Sequence, residues 1–160
     1  MENRNIEAEF LNMIREYNRI IYKVISFYAD EHNTFDDLYQ DVILNLWKGF
    51  PNFREESLVS TWIYRIALNT CVSFYRKNTR RPVCVEITSE IKAYTEENEA
   101  VAELYAYINR LGKLERALIL LYLEDRPYKE IAEIMGITAT NVSTKINRIK
   151  EKLRQISKMQ

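Results

Sequence analysis

The stretch of sequence that decides the fold is residues 128–146, YKEIAEIMGITATNVSTKI, near the end of a chain of 160 residues. Two apolar stripes at helical spacing are separated there by Gly136, which can adopt the left-handed conformation that ends a helix. Thr138 can cap the helix that follows, and Ala132 is small enough for two steeply crossing helices to approach each other. The segment therefore predicts a helix-turn-helix.

The last helix of this motif has one face for a core and one face for solvent. Its apolar stripe continues beyond the motif and would pack on the preceding helix; the core candidates are Ile131, Ile137, Val142, Ile146, Ile149 and Leu153. Short polar side chains with an arginine on the other face suit base edges and phosphates in a DNA major groove. These candidates are Ser143, Thr144, Lys145, Asn147 and Arg148. A helical hairpin with a polar surface is the alternative, and further basic residues favour DNA binding: Lys150, Lys152, Arg154 and Lys158.

Charge is distributed in blocks although the chain as a whole is neutral. Residues 1–64 hold 6 basic and 11 acidic side chains, whereas residues 65–81 hold 5 basic and no acidic ones. Residues 82–137 hold 6 basic and 11 acidic side chains, whereas residues 138–160 hold 6 basic and 1 acidic. Two positive blocks indicate two separate anion-binding surfaces, although either block alone could be a solvated helix face.

Helical periodicity also runs through the first half of the chain and predicts an all-α fold. Only three glycines and three prolines occur, which argues against a sandwich or a barrel. Periodicity is lost over residues 79–97, a stretch rich in Thr, Ser and Glu that we interpret as a linker. Two small helical domains are therefore expected, residues 1–78 and 98–160. The predicted helices span roughly residues 7–29, 34–47, 61–77, 98–111, 113–124, 128–135 and 138–156.

Several classes of protein are excluded by what the sequence lacks. No apolar run approaches the roughly 20 residues of a membrane span, and the N-terminus does not resemble a signal peptide. Cys71 and Cys84 are too few for a zinc site or a disulfide framework, and His32 has no Glu or Cys at ligand spacing. No glycine-rich phosphate loop or nucleophile–base pair is present. We therefore expect a cytoplasmic protein that is not an enzyme and that uses no cofactor or metal.

The first half carries motifs that are more specific than a helix-turn-helix. Residues 36–47, DDLYQDVILNLW, resemble the DLxQE…W signature of sigma domain two. Residues 53–57, FREES, and 61–70, TWIYRIALNT, resemble the recognition loop and the following helix of extracytoplasmic-function sigma factors. Residues 128–153 are similar to sigma domain four. The chain thus resembles the extracytoplasmic-function (ECF) subfamily of the sigma-70 family of bacterial RNA polymerase sigma factors.

This resemblance implies a fold and a first binding surface. The first domain would be the three-to-four-helix bundle of sigma domain two, and the second would be the four-helix sigma domain four. Asp37, Gln40, Asp41 and Leu44 share one helix face by their spacing, and in the family this face docks on a coiled coil of the largest subunit of core RNA polymerase. An acidic rim around an exposed leucine suits a basic helical partner, with a solvated acidic face as the alternative. Trp47 is expected in the core.

By the same resemblance, residues 53–58 and Asn69 would form a pocket for a base flipped out of the minus-ten promoter element. Phe53 offers a ring face and Asn69 offers hydrogen-bond donors and acceptors. Phe53 could instead pack between helices, and Asn69 could brace the loop. The candidate DNA contacts of this domain are Phe53, Arg54, Ser57, Arg65, Asn69, Arg76 and Lys77, with Arg80 and Arg81 as further phosphate contacts.

The function implied by the resemblance is that of a dissociable sigma subunit. It would direct core polymerase to promoters, read the minus-thirty-five element with its last helix and capture a minus-ten base. Its partners would be core RNA polymerase, promoter DNA and an anti-sigma factor, without membrane insertion. A helix-turn-helix repressor or activator that acts without polymerase is one alternative, and a protein-interaction module without DNA contact is another. A helical-bundle enzyme lacks the clustered metal ligands such bundles use.

Overall fold

The computed structural model describes the backbone of residues 2–78 and 98–159. These residues form seven α-helices and one short 3-10 helix, and none of them belongs to a β-strand. The chain divides into two compact units, Met1–Pro82 and Val83–Gln160. The prediction of an all-α fold with two units is confirmed for the part of the chain that is described. The predicted linker, residues 79–97, lies outside the described residues, so the predicted domain boundaries stay predictions.

The first unit is a bundle of three helices that all pack against one another. They are α1 (Glu2–Ser26), α2 (Phe35–Gly49) and α3 (Val59–Asn78), and the 3-10 helix Phe50–Asn52 follows α2 directly. Each helix buries one stripe of apolar side chains, as the three- and four-residue spacing predicts. The largest fully buried side chains of this core are Ile21, Ile25, Tyr28, Leu38, Leu46, Ile63 and Tyr64.

Local polar contacts fix where α2 begins. The Asp37 N–H donates to Thr34 Oγ1 over 3.3 Å, which makes Thr34 the N-cap that the sequence predicts. In the loop before it, Asp30 Oδ1 accepts the N–H groups of His32 and Asn33, each over 2.7 Å. Helix α1 begins at Glu2, earlier than the apolar pattern indicates. A helix that is already nucleated gains one hydrogen bond for each residue added and needs no apolar stripe there.

The second unit contains four helices: α4 (Glu99–Ile108), α5 (Lys113–Leu123), α6 (Tyr128–Met135) and α7 (Ala139–Lys158). Helix α7 packs against the other three. Gly136 ends α6 with φ 68°, and Thr138 Oγ1 accepts the Asn141 N–H over 3.1 Å at the start of α7. These are the turn and the cap that the sequence predicts, and α6 and α7 form the helix-turn-helix.

Candidate nucleic-acid and polymerase-binding surfaces

The face predicted to dock on polymerase lies on the solvent side of α2. The apolar stripe of this helix is fully buried. Asp37 and Gln40 are exposed, Asp41 is half-buried and Leu44 is 48% exposed. We call these four side chains the acidic ridge. In it, two carboxylates and an amide surround a leucine that is open to solvent.

Trp47 is a correction to the sequence analysis, which expects it in the core. Its side chain is 41% exposed, and its ring packs against Phe10 in an edge-to-face arrangement with the ring centroids 5.0 Å apart. Gln40, Leu44 and Trp47 follow one another at i, i+4 and i+7, so Trp47 extends the acidic ridge along the same helix face. This spacing is the sequence signal that could have located it.

Phe53 opens the loop of residues 53–58 with its ring stacked on Trp62. The ring centroids are 4.8 Å apart and the planes differ by 29°, and both side chains are half-buried. One face of Phe53 is therefore occupied, and only the other face and the ring edge can meet a base. Gly49 leaves room for the Trp62 ring, because a Cβ there would lie only 3.1 Å from Trp62 Cζ2, a tight contact.

The rest of the loop is open to solvent and has one unusual backbone conformation. Arg54 and Glu55 are exposed and Ser57 is half-buried. Glu55 has φ 54°, which costs a residue with a Cβ roughly 1–2 kcal/mol. Leu58, which ends the loop, is 69% exposed.

The Asn69 side chain is exposed on α3 and makes no hydrogen bond with the described residues. It follows Trp62 by seven residues, nearly two turns, so the two side chains share a helix face about 10 Å apart along the axis. The neighbouring turn is fastened to α2, since Asn45 Nδ2 donates to Thr70 Oγ1 over 3.0 Å. Thr70 Oγ1 in turn donates to the Ile66 carbonyl over 2.7 Å. The alternative in which Asn69 braces the loop finds no support.

The basic residues predicted around this site are described only in part. Arg65 is half-buried on the helix face between Trp62 and Asn69. Helix α3 includes residues 76 and 77, but the predictions for Arg76 and Lys77 concern side chains outside the described ones. The same holds for Arg80 and Arg81, which lie outside the described residues altogether.

The predicted recognition helix α7 buries one face and exposes the other. Its buried residues are Val142, Ile146, Ile149 and Ile156, and Leu153 is half-buried. Thr144, Lys145, Asn147 and Arg148 are exposed, and Ser143 is half-buried. The predicted DNA-facing residues therefore share the solvent side of the N-terminal half of α7.

Several cations of α7 are engaged within the second unit. Lys150 Nζ lies 4.2 Å from the centroid of the Tyr122 ring, and Arg154 pairs with Glu151 over 3.3 Å. Arg148 forms no ion pair or hydrogen bond with the described residues. Within that part of the chain it is therefore a free cation on the predicted DNA-facing side.

Glu115 ties α7 to the start of α5. Its Oε2 accepts Lys152 Nζ and the Gly112 N–H, each over 2.8 Å. Partial burial favours a higher pKa for Glu115, but these hydrogen bonds and the charges of Lys152 and Lys145 hold the pKa below its usual value. The positive charge of Lys145 thus also acts on Glu115. Arg148 is therefore the better candidate for a phosphate contact.

Neither a metal site nor a membrane span is found in the described part of the chain. No group of His, Cys, Asp and Glu there is arranged to hold a metal ion, and no described helix is long and apolar enough to cross a membrane. Cys71 is buried, and burial, with a smaller effect from the charge of Asp41, raises its pKa to about 12. It therefore stays a protonated thiol and has no reactive role at neutral pH.

Two family models match this chain, one on each unit. The model described as Sigma-70 region 2 matches residues 13–81, and the model described as Sigma-70, region 4 matches residues 102–153. The acidic ridge, the loop of residues 53–58 and Asn69 lie in the first match, and the exposed face of α7 lies in the second. The chain belongs to the extracytoplasmic-function group of the sigma-70 family of bacterial RNA polymerase sigma factors. Sigma factors bind core RNA polymerase and promoter DNA and direct transcription initiation; they are regulators and not enzymes.

The chain covers most of the length of several curated relatives. It is 28% identical to RNA polymerase sigma factor SigZ of Bacillus subtilis (strain 168), over 88% of this chain and 82% of SigZ. It is 28% identical to the ECF RNA polymerase sigma-E factor of Haemophilus influenzae, over 87% of this chain and 82% of that protein. It is 27% identical to RNA polymerase sigma factor YlaC of Bacillus subtilis, over 90% and 89% of the two chains.

Two solved structures share the fold. CnrH, in complex with the cytosolic domain of CnrY, matches with a TM-score of 0.68 and 21% identity, over 96% of this chain and 90% of CnrH. The sigma factor RpoE, in complex with the anti-sigma factor NepR from Bartonella quintana, matches with a TM-score of 0.65 and 17% identity, over 97% and 98% of the chains. These likenesses confirm the predicted fold class.

Proposed function

We propose that this sigma factor positions core RNA polymerase at promoters through three separate surfaces. The acidic ridge binds the polymerase, the loop of residues 53–58 with Asn69 captures a flipped minus-ten base, and the exposed face of α7 reads the minus-thirty-five element. The observation that carries the proposal is the Asn69 amide, which has no partner among the described residues. It lies on the same face of α3 as Trp62, on which Phe53 stacks, and Asn45 fastens the neighbouring turn of α3 to α2. The predicted domains, residues 1–78 and 98–160, would thereby hold separate parts of one promoter.

The acidic ridge suits a basic helical partner, for which we propose the coiled coil of the largest polymerase subunit. Leu44 and Trp47 supply exposed apolar area at its centre and end, and a tryptophan of this kind is a frequent energetic hot spot of protein interfaces. Asp37 and Asp41 supply charges that speed and orient association more than they add to affinity. Trp47→Ala should therefore weaken polymerase binding more than Asp37→Asn.

The capture of a base requires both halves of the proposed pocket. Flipping costs on the order of a few kcal/mol, while stacking on one aromatic ring returns roughly 1–3 kcal/mol. Trp62 already covers one face of Phe53, so a base can stack on one side of that ring only. Hydrogen bonds from the Asn69 amide would supply the remainder and would choose among bases, which stacking does not do.

Reading of the minus-thirty-five element would fall to Ser143, Thr144, Asn147 and Arg148. Short polar side chains at the N-terminal half of a recognition helix reach base edges in the major groove, and an arginine reaches a guanine or a phosphate. Lys145, which lies near Glu115, would contribute less. The polymerase would perform the phosphoryl-transfer chemistry in the cytoplasm, and the sigma factor would only place it.

We include an anti-sigma factor among the proposed partners. The solved structure of the sigma factor RpoE is a complex with the anti-sigma factor NepR, and this chain shares the fold of RpoE. The apolar side chains of the acidic ridge would be one surface for such an inhibitor to cover, in competition with polymerase.

Reconstitution with core RNA polymerase on genomic DNA, followed by mapping of transcript starts, tests the proposed function. We expect new start sites preceded by two shared sequence elements, and weak, salt-sensitive binding of the isolated protein to the same fragments. Tight sequence-specific binding without polymerase would favour a repressor or activator. Absence of new starts, where a known sigma factor produces its own, would contradict the proposal.

A further inference from the structure

Leu58, at the end of the loop of residues 53–58, is unusually open to solvent. At 69% exposure it is the most exposed large hydrophobic side chain of the first unit's described residues; the next are Leu11 and Leu44, at 48% each. A leucine exposed to this extent forfeits most of the hydrophobic stabilisation that it would contribute if buried. The packing of the bundle gives no reason for an aliphatic side chain here.

Leu58 is also the N-cap of α3. The helix begins at Val59, and the Leu58 carbonyl accepts the Trp62 N–H over 3.1 Å. N-cap positions favour Ser, Thr, Asp and Asn, whose side-chain oxygens accept an N–H of the first turn, and they disfavour leucine. Helices α2, α4 and α7 follow this preference, with Thr34, Asn98 and Thr138 accepting N–H groups at their starts. Leucine is therefore unfavourable at this position both as a cap and as an exposed side chain.

The position of Leu58 connects it with the proposed base capture. Leu58 follows Phe53 by five positions, so the two lie at most about 17 Å apart, which is the length of about five base steps of 3.4 Å. We propose that Leu58 is an apolar wedge that inserts beside the captured base and keeps the neighbouring step of the minus-ten element unstacked. Leucine, like Phe, Ile and Met, is a side chain that proteins insert between base steps. The inference rests on the proposed function, which it deepens.

Charge favours DNA over a protein as the partner of Leu58. The positive block of residues 65–81 lies in and just beyond the helix that Leu58 begins and attracts the DNA backbone. The loop holds one exposed cation, Arg54, and two exposed anions, Glu55 and Glu56, so its own net charge is negative and disfavours phosphates. Contacts of the loop are therefore expected with bases, and an uncharged aliphatic tip suits insertion between them. Leucine lacks a π system, so it suits a wedge better than a stacking platform.

Two substitutions separate the wedge from the fold. Leu58→Ser removes the aliphatic side chain and adds a capping oxygen, so its Tm should be unchanged or a few degrees higher. Leu58→Met keeps an apolar side chain of similar size and should retain function. Each holoenzyme is tested on a promoter fragment found by transcript mapping, once as a full duplex and once with a mismatched bubble over the minus-ten element.

We expect Leu58→Ser to slow opening of the duplex promoter about tenfold or more, measured by permanganate reactivity of unpaired thymines. On the mismatched fragment, whose minus-ten element is already unstacked, its transcript yield should match that of the wild type. Asn69→Ala should be defective on both fragments, because a captured base must be held in either.

Three results would overturn the wedge: wild-type opening of the duplex by Leu58→Ser, an equal defect on both fragments, or weaker binding of Leu58→Ser to core polymerase without DNA. The last result would identify a protein contact instead. Failure of the wild-type holoenzyme both to open the duplex and to transcribe the mismatched fragment would count against the proposed function itself and would remove the basis of the wedge. A Leu58→Ser defect confined to the duplex supports both.

Discussion

At the scale of single residues, the proposal of base capture depends mainly on Asn69. Its side chain is exposed and makes no hydrogen bond with the described residues, so the fold does not depend on it. The neighbouring residue Thr70, and not Asn69, fastens α3 to α2 by accepting a hydrogen bond from Asn45. An exposed amide of this kind can therefore be replaced without loss of structure.

We expect Asn69→Ala to keep the Tm and the polymerase affinity of the wild type and to lower transcription from minus-ten elements. Loss of hydrogen bonds to one base costs about 1–3 kcal/mol, a decrease of roughly fivefold to 150-fold, and discrimination at that base should relax. In vitro transcription from promoters varied at each minus-ten position measures both effects. Asn12→Ala, at an exposed asparagine of α1, is the matched control, and equal activity of the two variants would contradict base capture by Asn69.

Single residues also differ in how far sequence predicts their surroundings. The exposure of Asp37, Gln40 and Leu44 follows from their position opposite an apolar stripe, which sequence contains. Trp47 was predicted wrongly because large aromatic side chains are usually buried, whereas here the ring packs on Phe10 and stays 41% exposed. The sequence marks Gly49 only as a helix breaker, so the room that it leaves for the Trp62 ring could not be predicted.

At the scale of elements, helices with strong caps were predicted well and helices without them less well. Thr34, Gly136 and Thr138 fixed the ends of α2, α6 and α7 because their local hydrogen bonds and backbone angles depend on few neighbours. Helix α3 begins at Val59, two residues before its predicted start, and its N-cap is Leu58. An unfavourable cap leaves no signal for a helix start.

Helix α7 should contact DNA phosphates or bases through Arg148. Because this side chain has no partner among the described residues, Arg148→Ala should leave the Tm unchanged. Holoenzyme affinity for promoter DNA should fall by about 1–3 kcal/mol for a base contact, or the salt dependence should decrease by about one phosphate for a backbone contact. Titrations at several salt concentrations distinguish the two, with Arg15→Ala, at an exposed arginine of α1, as the control. An unchanged affinity at every salt concentration would contradict DNA reading by this face.

Glu115 joins α5 to α7 and should make the stability of the second unit depend on pH. Since its pKa in the folded protein lies below the ordinary 4.5, its contribution is present above pH 4.5 and is lost as the pH falls through the lower folded value. Glu115→Gln should therefore destabilise the protein at pH 7, and this cost should be smaller at pH 3, below the ordinary pKa of 4.5. The carboxylate is about one-third exposed, so solvent screening limits the cost to roughly 0.5–1 kcal/mol.

Urea denaturation at both pH values measures the effect of Glu115→Gln. Lys152→Met serves as a partial variant, because it removes the ion pair and leaves the bond from the Gly112 N–H. An equal cost of Glu115→Gln at both pH values would show that the lost interaction does not depend on the carboxylate charge.

At the scale of the whole molecule, the sequence predicted two helical units because each unit carries its own motif and its own positive block. The family matches fall on the same two units. Which surfaces act together was predictable only through the resemblance, since periodicity assigns residues to faces but not to partners. Exposed positions such as Leu58 and Trp47 became informative once their neighbours were known, because exposure is a property of packing.

The central claim is that separate surfaces of one sigma factor hold separate parts of a promoter, and a footprint of the holoenzyme tests it most directly. Hydroxyl-radical protection and permanganate reactivity are measured on one promoter for the wild type, Arg148→Ala and Asn69→Ala. We expect Arg148→Ala to weaken protection of the upstream element, and Asn69→Ala to reduce reactivity of minus-ten thymines while upstream protection persists. Loss of both signals in either variant at saturating holoenzyme, or upstream protection that survives Arg148→Ala at every salt concentration, would contradict this division.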